Sequence, residues 1–210
     1  MQIKKLNLLE IFETNTYLLW DKIEKVGAVI DPANKAEIIF QESQRLGFEI
    51  KYIINTHGHA DHIGANGKLK ELTNAKICIH QFDNDKLTNP ELNFSIFFDY
   101  YVISPPADKF LEDNEIVTIG SEQLKVLHTP GHSIGSICLL GNSFLVSGDT
   151  LFFEGVGRTD IPGSDKDKLR KSIKEKLFIL PERTKVFPGH GVATTIGHEK
   201  HNNPFIDGYK

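Results

Sequence analysis

Four side chains able to hold a metal ion stand within six residues: His57, His59, Asp61 and His62, in Thr56-His57-Gly58-His59-Ala60-Asp61-His62. They follow Tyr52-Ile53-Ile54, an apolar run that reads as a buried strand. In an extended segment, residues two apart point to the same side, so His57, His59 and Asp61 are expected to project together. His62 is expected to open the following helix and turn toward the same space. Gly58 lets the backbone pass close to a neighbour. A polar strand-to-helix loop with Asp61 as its N-cap is the plain alternative. It leaves three further strand ends unexplained. Leu124-Lys125-Val126-Leu127 leads into His128-Thr129-Pro130-Gly131-His132, Phe144-Leu145-Val146 into Ser147-Gly148-Asp149-Thr150, and Val186-Phe187 into Pro188-Gly189-His190-Gly191. Each is an apolar strand ending in a glycine-containing turn that carries a ligand-type residue. Sites in layered α/β proteins gather where strand ends meet, so four such ends predict one convergent site. Imidazole and carboxylate donors suit zinc, iron, manganese or cobalt. His57, His59, Asp61, His62, His132, Asp149 and His190 together exceed what one tetrahedral ion takes, which points to two divalent ions, zinc first among them.

The elements that must position these residues can be read along the chain. Thr16-Tyr17-Leu18-Leu19-Trp20 and Val26-Gly27-Ala28-Val29-Ile30 are strand-like, and Asp31-Pro32 ends the second. Residues 35–46 have helical spacing, with Ile38, Ile39 and Leu46 apolar and Gly47 placed to end the helix. A strand is expected over 50–54, a helix over 66–72 and a strand over 75–79. Residues 81–110 are irregular and contain an aromatic run, Phe94, Phe97, Phe98, Tyr100 and Tyr101. Their expected role is to form a pocket, with a core-packed helix as the alternative. Strands are expected over 116–119, 124–127, 136–140 and 144–146. A helix follows over 164–180, started by Ser164 with Asp167 and ended by Pro181, and a last strand covers 185–187. Hairpins, helices, hairpins and a helix in that order suit two packed sheets covered by helices on the outside.

At 210 residues, 40% of them apolar, the chain is expected to form a single domain, 1–210. Its formal net charge of −4 argues against a nucleic-acid-binding surface. The two cysteines, Cys78 and Cys138, lie in apolar runs and are expected as buried strand thiols of a reducing compartment. No apolar run is long enough to span a membrane, and residues 1–6 lead into strand-like sequence, so a cytoplasmic location is expected. His80 and His128 are expected to make hydrogen bonds near the site or in the core. His198 and His201 are expected to be exposed, and Asp31 to satisfy backbone donors beside the site.

The motif His57-x-His59-x-Asp61-His62 followed by His132, Asp149 and His190 resembles the metal ligands of the metallo-β-lactamase superfamily in order and type. The resemblance runs from near Asn15 to near Phe205. It implies a four-layer αββα sandwich of two mixed sheets with outer helices. It also implies that His57, His59 and His132 hold one metal, that Asp61, His62 and His190 hold the second, and that Asp149 bridges them.

Within the superfamily the chain is most similar to the short bacterial branch of the glyoxalase II group, the hydroxyacylglutathione hydrolases. The stretches that carry this are His128-Thr129-Pro130-Gly131-His132-Ser133, Ser147-Gly148-Asp149-Thr150-Leu151-Phe152 and Gly155-Val156-Gly157-Arg158-Thr159-Asp160. The stretch from Thr194 to Glu199, followed by Asn203-Pro204-Phe205, fits as well. The resemblance implies hydrolysis of a small-molecule thioester of the S-acyl glutathione type. Asp61 is the catalytic carboxylate expected to orient the attacking hydroxide, and Arg158 is expected to contact a substrate carboxylate. Two divalent ions, two carboxylates and one hydroxide sum to about +1, which suits an anionic substrate. The alternative on the same fold is a mononuclear iron persulfide dioxygenase using only His57, His132 and Asp149. A β-lactam substrate is disfavoured by the absence of a recognisable export signal.

Overall fold

The computed structural model describes residues 1–9, 13–97 and 101–206. Strands β1 (Gln2–Leu9), β2 (Thr14–Asp21) and β3 (Val26–Ile30) pair antiparallel. Helix α1 (Ala36–Leu46) then carries the chain to β4 (Glu49–Ile54), and helices α2 (Ala60–Ile63) and α3 (Asn66–Thr73) carry it to β5 (Lys76–Ile79). Residues 81–110 hold two single 3₁₀ turns, the short helix α4 (Asn84–Thr88) and an edge strand, β6 (Lys109–Phe110). The first sheet runs β1-β2-β3-β4-β5-β6, and its β3 to β6 half is parallel.

The second sheet uses β7 (Ile116–Ile119), β8 (Glu122–His128), β9 (Ile137–Leu140), β10 (Phe144–Gly148), β13 (Lys185–Pro188) and β14 (Thr194–Thr195). Its order is β14-β13-β10-β9-β8-β7, with β10 and β13 parallel and the other pairs antiparallel. A small hairpin, β11 (Leu151–Phe152) with β12 (Gly155–Val156), follows β10. Helices α5 (Lys166–Ser172) and α6 (Ile196–Asn202) complete the described chain.

Period-two alternation explains the layering. Tyr17, Leu19, Ala28, Ile30, Ile54 and Cys78 point inward and meet Leu124, Val126, Ile137, Leu139 and Val146 of the second sheet. Leu18, Val29, Ile53, Ile77 and Ile79 point outward, beneath Ile39 of α1 and Leu69 of α3. On the far side Cys138, Leu145 and Val186 pack against Leu169, Ile173 and Ile196. The strands are apolar on both faces because both faces are covered. The result is the αββα sandwich expected from the resemblance, with two mixed sheets inside and helices outside. Both cysteines are buried and free, as expected.

Local expectations needed correcting in places. Ile38 is 46% exposed, and only Ile39 of that pair enters the core. The helix after residue 164 is capped by Asp165, whose carboxylate accepts from the backbone N–H of Asp167 and Lys168 at 3.0 Å. Ser164 instead donates to the Ile161 carbonyl. The helix does not run unbroken to 180 but widens into a π turn, Ile173–Leu177, which seats both of those residues in the outer core. The strand over 185–187 is not the last, because β14 pairs with it and α6 follows. Among the described residues, no helix is long and apolar enough to cross a membrane.

Candidate metal centre

Four strands end at one edge of the sandwich and supply the candidate ligands. The loop after β4 carries His57 and His59, and the turns after β8, β10 and β13 carry His132, Asp149 and His190. The two sheets are tied there, since Ile137 of β9 donates its N–H to the Thr56 carbonyl at 2.8 Å. Asp61 does not extend the strand alternation, while His62 lies in a helix as expected. Both lie in α2, whose first residue, Ala60, donates its N–H to the Asn93 carbonyl at 3.0 Å. The turn begun there brings Asp61 round, so the carboxylate arrives on a helix rather than on an extended segment.

All seven candidate residues converge. Three groups offer ligand atoms within 4.8 Å of one another: His57, His59 and His132; His57, His62 and Asp149; and Asp61, His62 and His190. His132 Nε2 lies 2.9 Å from His59 Nδ1, and His62 Nε2 lies 3.3 Å from His190 Nε2. Asp149 faces both sides. Its Oδ1 is 3.4 Å from His62 Nε2, and its Oδ2 is 3.6 Å from His132 Nε2 and 3.3 Å from His190 Nε2. Asp61 Oδ2 lies 3.3 Å from His190 Nε2 and accepts from Thr14 Oγ1 at 3.1 Å.

The outer nitrogens are fixed, which determines what the inner ones offer. Asp31 Oδ2 accepts from Thr56 Oγ1 at 2.6 Å and sits 3.1 Å from His62 Nδ1. The Thr56 hydroxyl proton is thereby used, so His57 Nδ1, 3.1 Å from Thr56 Oγ1, is the donor there. His132 Nδ1 donates to the Arg158 carbonyl at 3.0 Å. His57 and His132 therefore turn bare Nε2 lone pairs toward the centre, and Asp31 holds the His62 ring with its Nε2 facing the same way. His57 Nε2, His59 Nε2 and Asp149 Oδ1 are buried without a hydrogen-bond partner. Clustered buried acceptors without donors are costly unless a cation satisfies them, so the His/Asp cluster suits a dinuclear metal site.

The electrostatics divide the cluster. Burial holds the His57 imidazole far below its ordinary range, aided by repulsion from His62, His59 and His132. Burial and His132 hold His59 at about 3. Both stay neutral, as ligands must. Burial would also lower His62 and His190, but Asp61, Asp149 and Asp31 raise His62 well above its ordinary range, and hydrogen bonds to Asp149 and Asp61 raise His190 to about 10, so an ion bound on that side would displace protons. Burial would raise Asp149, but His62 and His190 bring it down to about 2.

Two glycines are required by this crowding. A Cβ on Gly58 would lie 2.5 Å from Lys86 Cβ, the close approach expected there. A Cβ on Gly189 would lie 2.1 Å from Asp149 Oδ1.

The sequence did not point to Asp83. This fully buried carboxylate joins the ligand loops. It accepts from Gly58 N at 2.9 Å, Ser133 Oγ at 2.8 Å and Gly135 N at 2.9 Å, and pairs with Lys86 Nζ at 2.5 Å. Nothing in its local pattern marks it, because apart from Lys86 its partners lie on sequence-distant loops. Asp31 was anticipated as an acceptor of backbone donors, and it does take Thr56 N at 2.7 Å. Its bond to His62 was not anticipated. His80 and His128 do not touch the cluster; they stack on each other with ring centroids 4.0 Å apart. His198 sits in α6, 3.0 Å from Glu154 and stacked on Phe153.

The centre floors a cavity of about 870 Å³ lined by His59, Asp61, His132, Asp149 and His190. Arg158 lines it too, with its guanidinium exposed and paired with both Asp160 oxygens at 2.9 Å. From the aromatic run, Phe94 and Phe97 line the cavity and Tyr101 is exposed, while Phe98 and Tyr100 lie outside the described residues.

Comparison with known proteins agrees with this architecture. The chain is 36% identical over 208 residues to the hydroxyacylglutathione hydrolase GloC of Haemophilus influenzae, covering 93% of this chain and 94% of the relative. The crystal structure of the BLEG-1 B3 metallo-beta-lactamase superposes with a TM-score of 0.93 at 36% identity, covering 99% of this chain and 100% of that one. TTHA1623, solved in a di-iron-bound form, gives a TM-score of 0.84 at 32% identity, over 96% and 99% of the two chains. The family model of the metallo-beta-lactamase superfamily matches residues 10–190, a span holding all seven clustered residues, and the chain belongs to that superfamily.

Proposed function

We propose that this chain is a two-metal thioester hydrolase acting on a thiol carrier that bears a carboxylate, S-acyl glutathione being the type substrate. The observation that carries the reading is the complete seven-residue cluster on the floor of a cavity that Arg158 also lines. Kinship with GloC supports the thioester.

His57, His59 and His132 would hold one ion and Asp61, His62 and His190 the other. Asp149, whose two oxygens face different imidazoles, suits the bridging place. Bound there, two divalent ions would supply a hydroxide nucleophile at neutral pH and draw charge from the carbonyl oxygen. Asp61, steadied by Thr14, holds a carboxylate oxygen where it can accept a proton from the attacking water and orient it. Asp31 and the Arg158 carbonyl keep the imidazoles in one tautomer and one orientation. The leaving thiol, with a pKa of roughly 8.5, departs as a thiolate without a dedicated acid.

Two ions per chain are expected in protein purified without chelator and reconstituted with zinc, iron or manganese, as read by elemental analysis. At most one ion after reconstitution contradicts the reading. The functional test is a thioester panel on that metal-quantified protein, run beside a chromogenic cephalosporin, because of the likeness to BLEG-1, and beside oxygen uptake with a glutathione persulfide. Turnover confined to either control replaces the thioesterase assignment.

Arg158→Ala is expected to raise KM about fivefold on S-acyl glutathione with kcat unchanged. The effect is small because the guanidinium is exposed and already shared with Asp160. An analogue lacking the carrier carboxylate should show no such rise. An equal loss on both substrates means that Arg158 does not read the carboxylate.

A further inference from the structure

Several large apolar side chains left exposed by the fold gather in one place. Phe82, Leu92, Ile96, Phe97 and Ile134 are each between 39% and 77% exposed, and all five line the cavity that holds the metal cluster. They come from two separate stretches of chain, one after β5 and one after β8, so the patch is assembled by the fold rather than by a local apolar run. Phe94 connects this wall to the chemistry, its ring centroid 4.9 Å from that of His59. Phe94 holds φ +68°, a left-handed backbone conformation that a bulky side chain rarely adopts. Such strain is kept where the surroundings fix it, commonly at ligand sites. A cavity of about 870 Å³ is far larger than a short acyl group fills. An apolar wall open to water beside a reactive centre is stabilised by an apolar ligand that dries it.

We infer that this wall is an acyl-binding cleft, and that the substrate's acyl group is an extended apolar chain rather than a short polar one. The inference rests on the hydrolase reading for the reaction, but the cleft has a signature of its own. The acyl carbonyl sits over the His59 and His132 side of the cluster, and the chain runs along Phe94 to Phe97 and Ile134. The carrier is left to Arg158.

The experiment measures binding of the carboxylate products, acetate, butanoate, hexanoate and octanoate, to metal-loaded protein by calorimetry. The same acyl series is then assayed as glutathione thioesters. Kd is expected to fall about fourfold per added methylene, the equivalent of about 0.8 kcal/mol each, until the wall is covered. Phe97→Ser combined with Ile134→Ser is expected to flatten that dependence while leaving acetate binding as it was. Both side chains are exposed, so the variant should fold. A chain-length slope with no turnover of any thioester supports the cleft and removes the hydrolase reading. Turnover of all thioesters with kcat/KM and Kd flat across the series overturns the cleft and leaves the hydrolase reading standing. A slope that survives the double substitution also overturns it, because the apolar ligand then lies elsewhere.

Discussion

Asp149→Asn is expected to lower kcat by about a thousandfold, several kcal/mol of barrier, while the chain keeps its folded circular dichroism spectrum. Among the described residues, Asp149 is the carboxylate whose two oxygens face imidazoles of both proposed metal positions. Its Oδ1 is buried without a hydrogen-bond partner. An amide of the same shape fills the same space, so packing is kept. It carries no charge to offset two cations, however, and it turns an NH₂ toward one of them. Metal content should therefore fall toward one ion per chain along with activity. Elemental analysis, circular dichroism and steady-state kinetics on one preparation test all three expectations. Two retained ions with turnover within tenfold of wild type would remove Asp149 from the bridging role.

Asp83→Ala should have the largest effect on stability. Its carboxylate is fully buried and ties Lys86, Ser133 and the backbone N–H groups of Gly58 and Gly135 together. Burial would raise its pKa, but Lys86 and these donors hold it below the usual carboxylate range. Removing it strands the Lys86 ammonium, only 12% exposed, and takes the acceptor from the Gly58 and Gly135 N–H groups, whereas the Ser133 hydroxyl can turn to Ser136 Oγ, 2.8 Å away. Breaking a buried pair in this way costs about 3–5 kcal/mol. At 2–4 °C per kcal/mol for a chain of this size, Tm should drop by about 10 °C. Asp83→Ala with Lys86→Met should recover part of that loss, because the stranded charge is gone while the two backbone donors stay unpaired. A single variant melting within about 2 °C of wild type would show that water replaces the carboxylate and that Asp83 is not the tie between the two loops.

These two residues mark how far the sequence can be read. Asp149 was legible because it ends an apolar strand in a glycine turn, a pattern repeated at His132 and His190. The sandwich was legible because strands such as Ile137–Leu140 are apolar on both faces, which only a doubly covered sheet explains. Asp83 was hidden because its role depends on contacts with residues 25, 50 and 52 positions away, and its own neighbours form an irregular stretch. Asp61 reaches the cluster, but from a helix rather than from the extended segment that its spacing suggests. The Ala60 N–H to Asn93 carbonyl bond that accompanies the turn into α2 comes from a loop that spacing does not locate. The π turn after α5 and the cap at Asp165 show the same limit. Tertiary packing chose between local options that were close in energy.

Each ligand trio draws on both halves of the chain. His57 and His59 meet His132, and Asp61 and His62 meet His190, so neither sheet holds a full set alone. Any ion that loads these positions therefore acts as a clasp between the sheets, and occupancy and cohesion of the sandwich become one linked equilibrium. A gene cut between β6 and β7 should yield two fragments that reassemble more firmly as metal is supplied and drift apart under chelation.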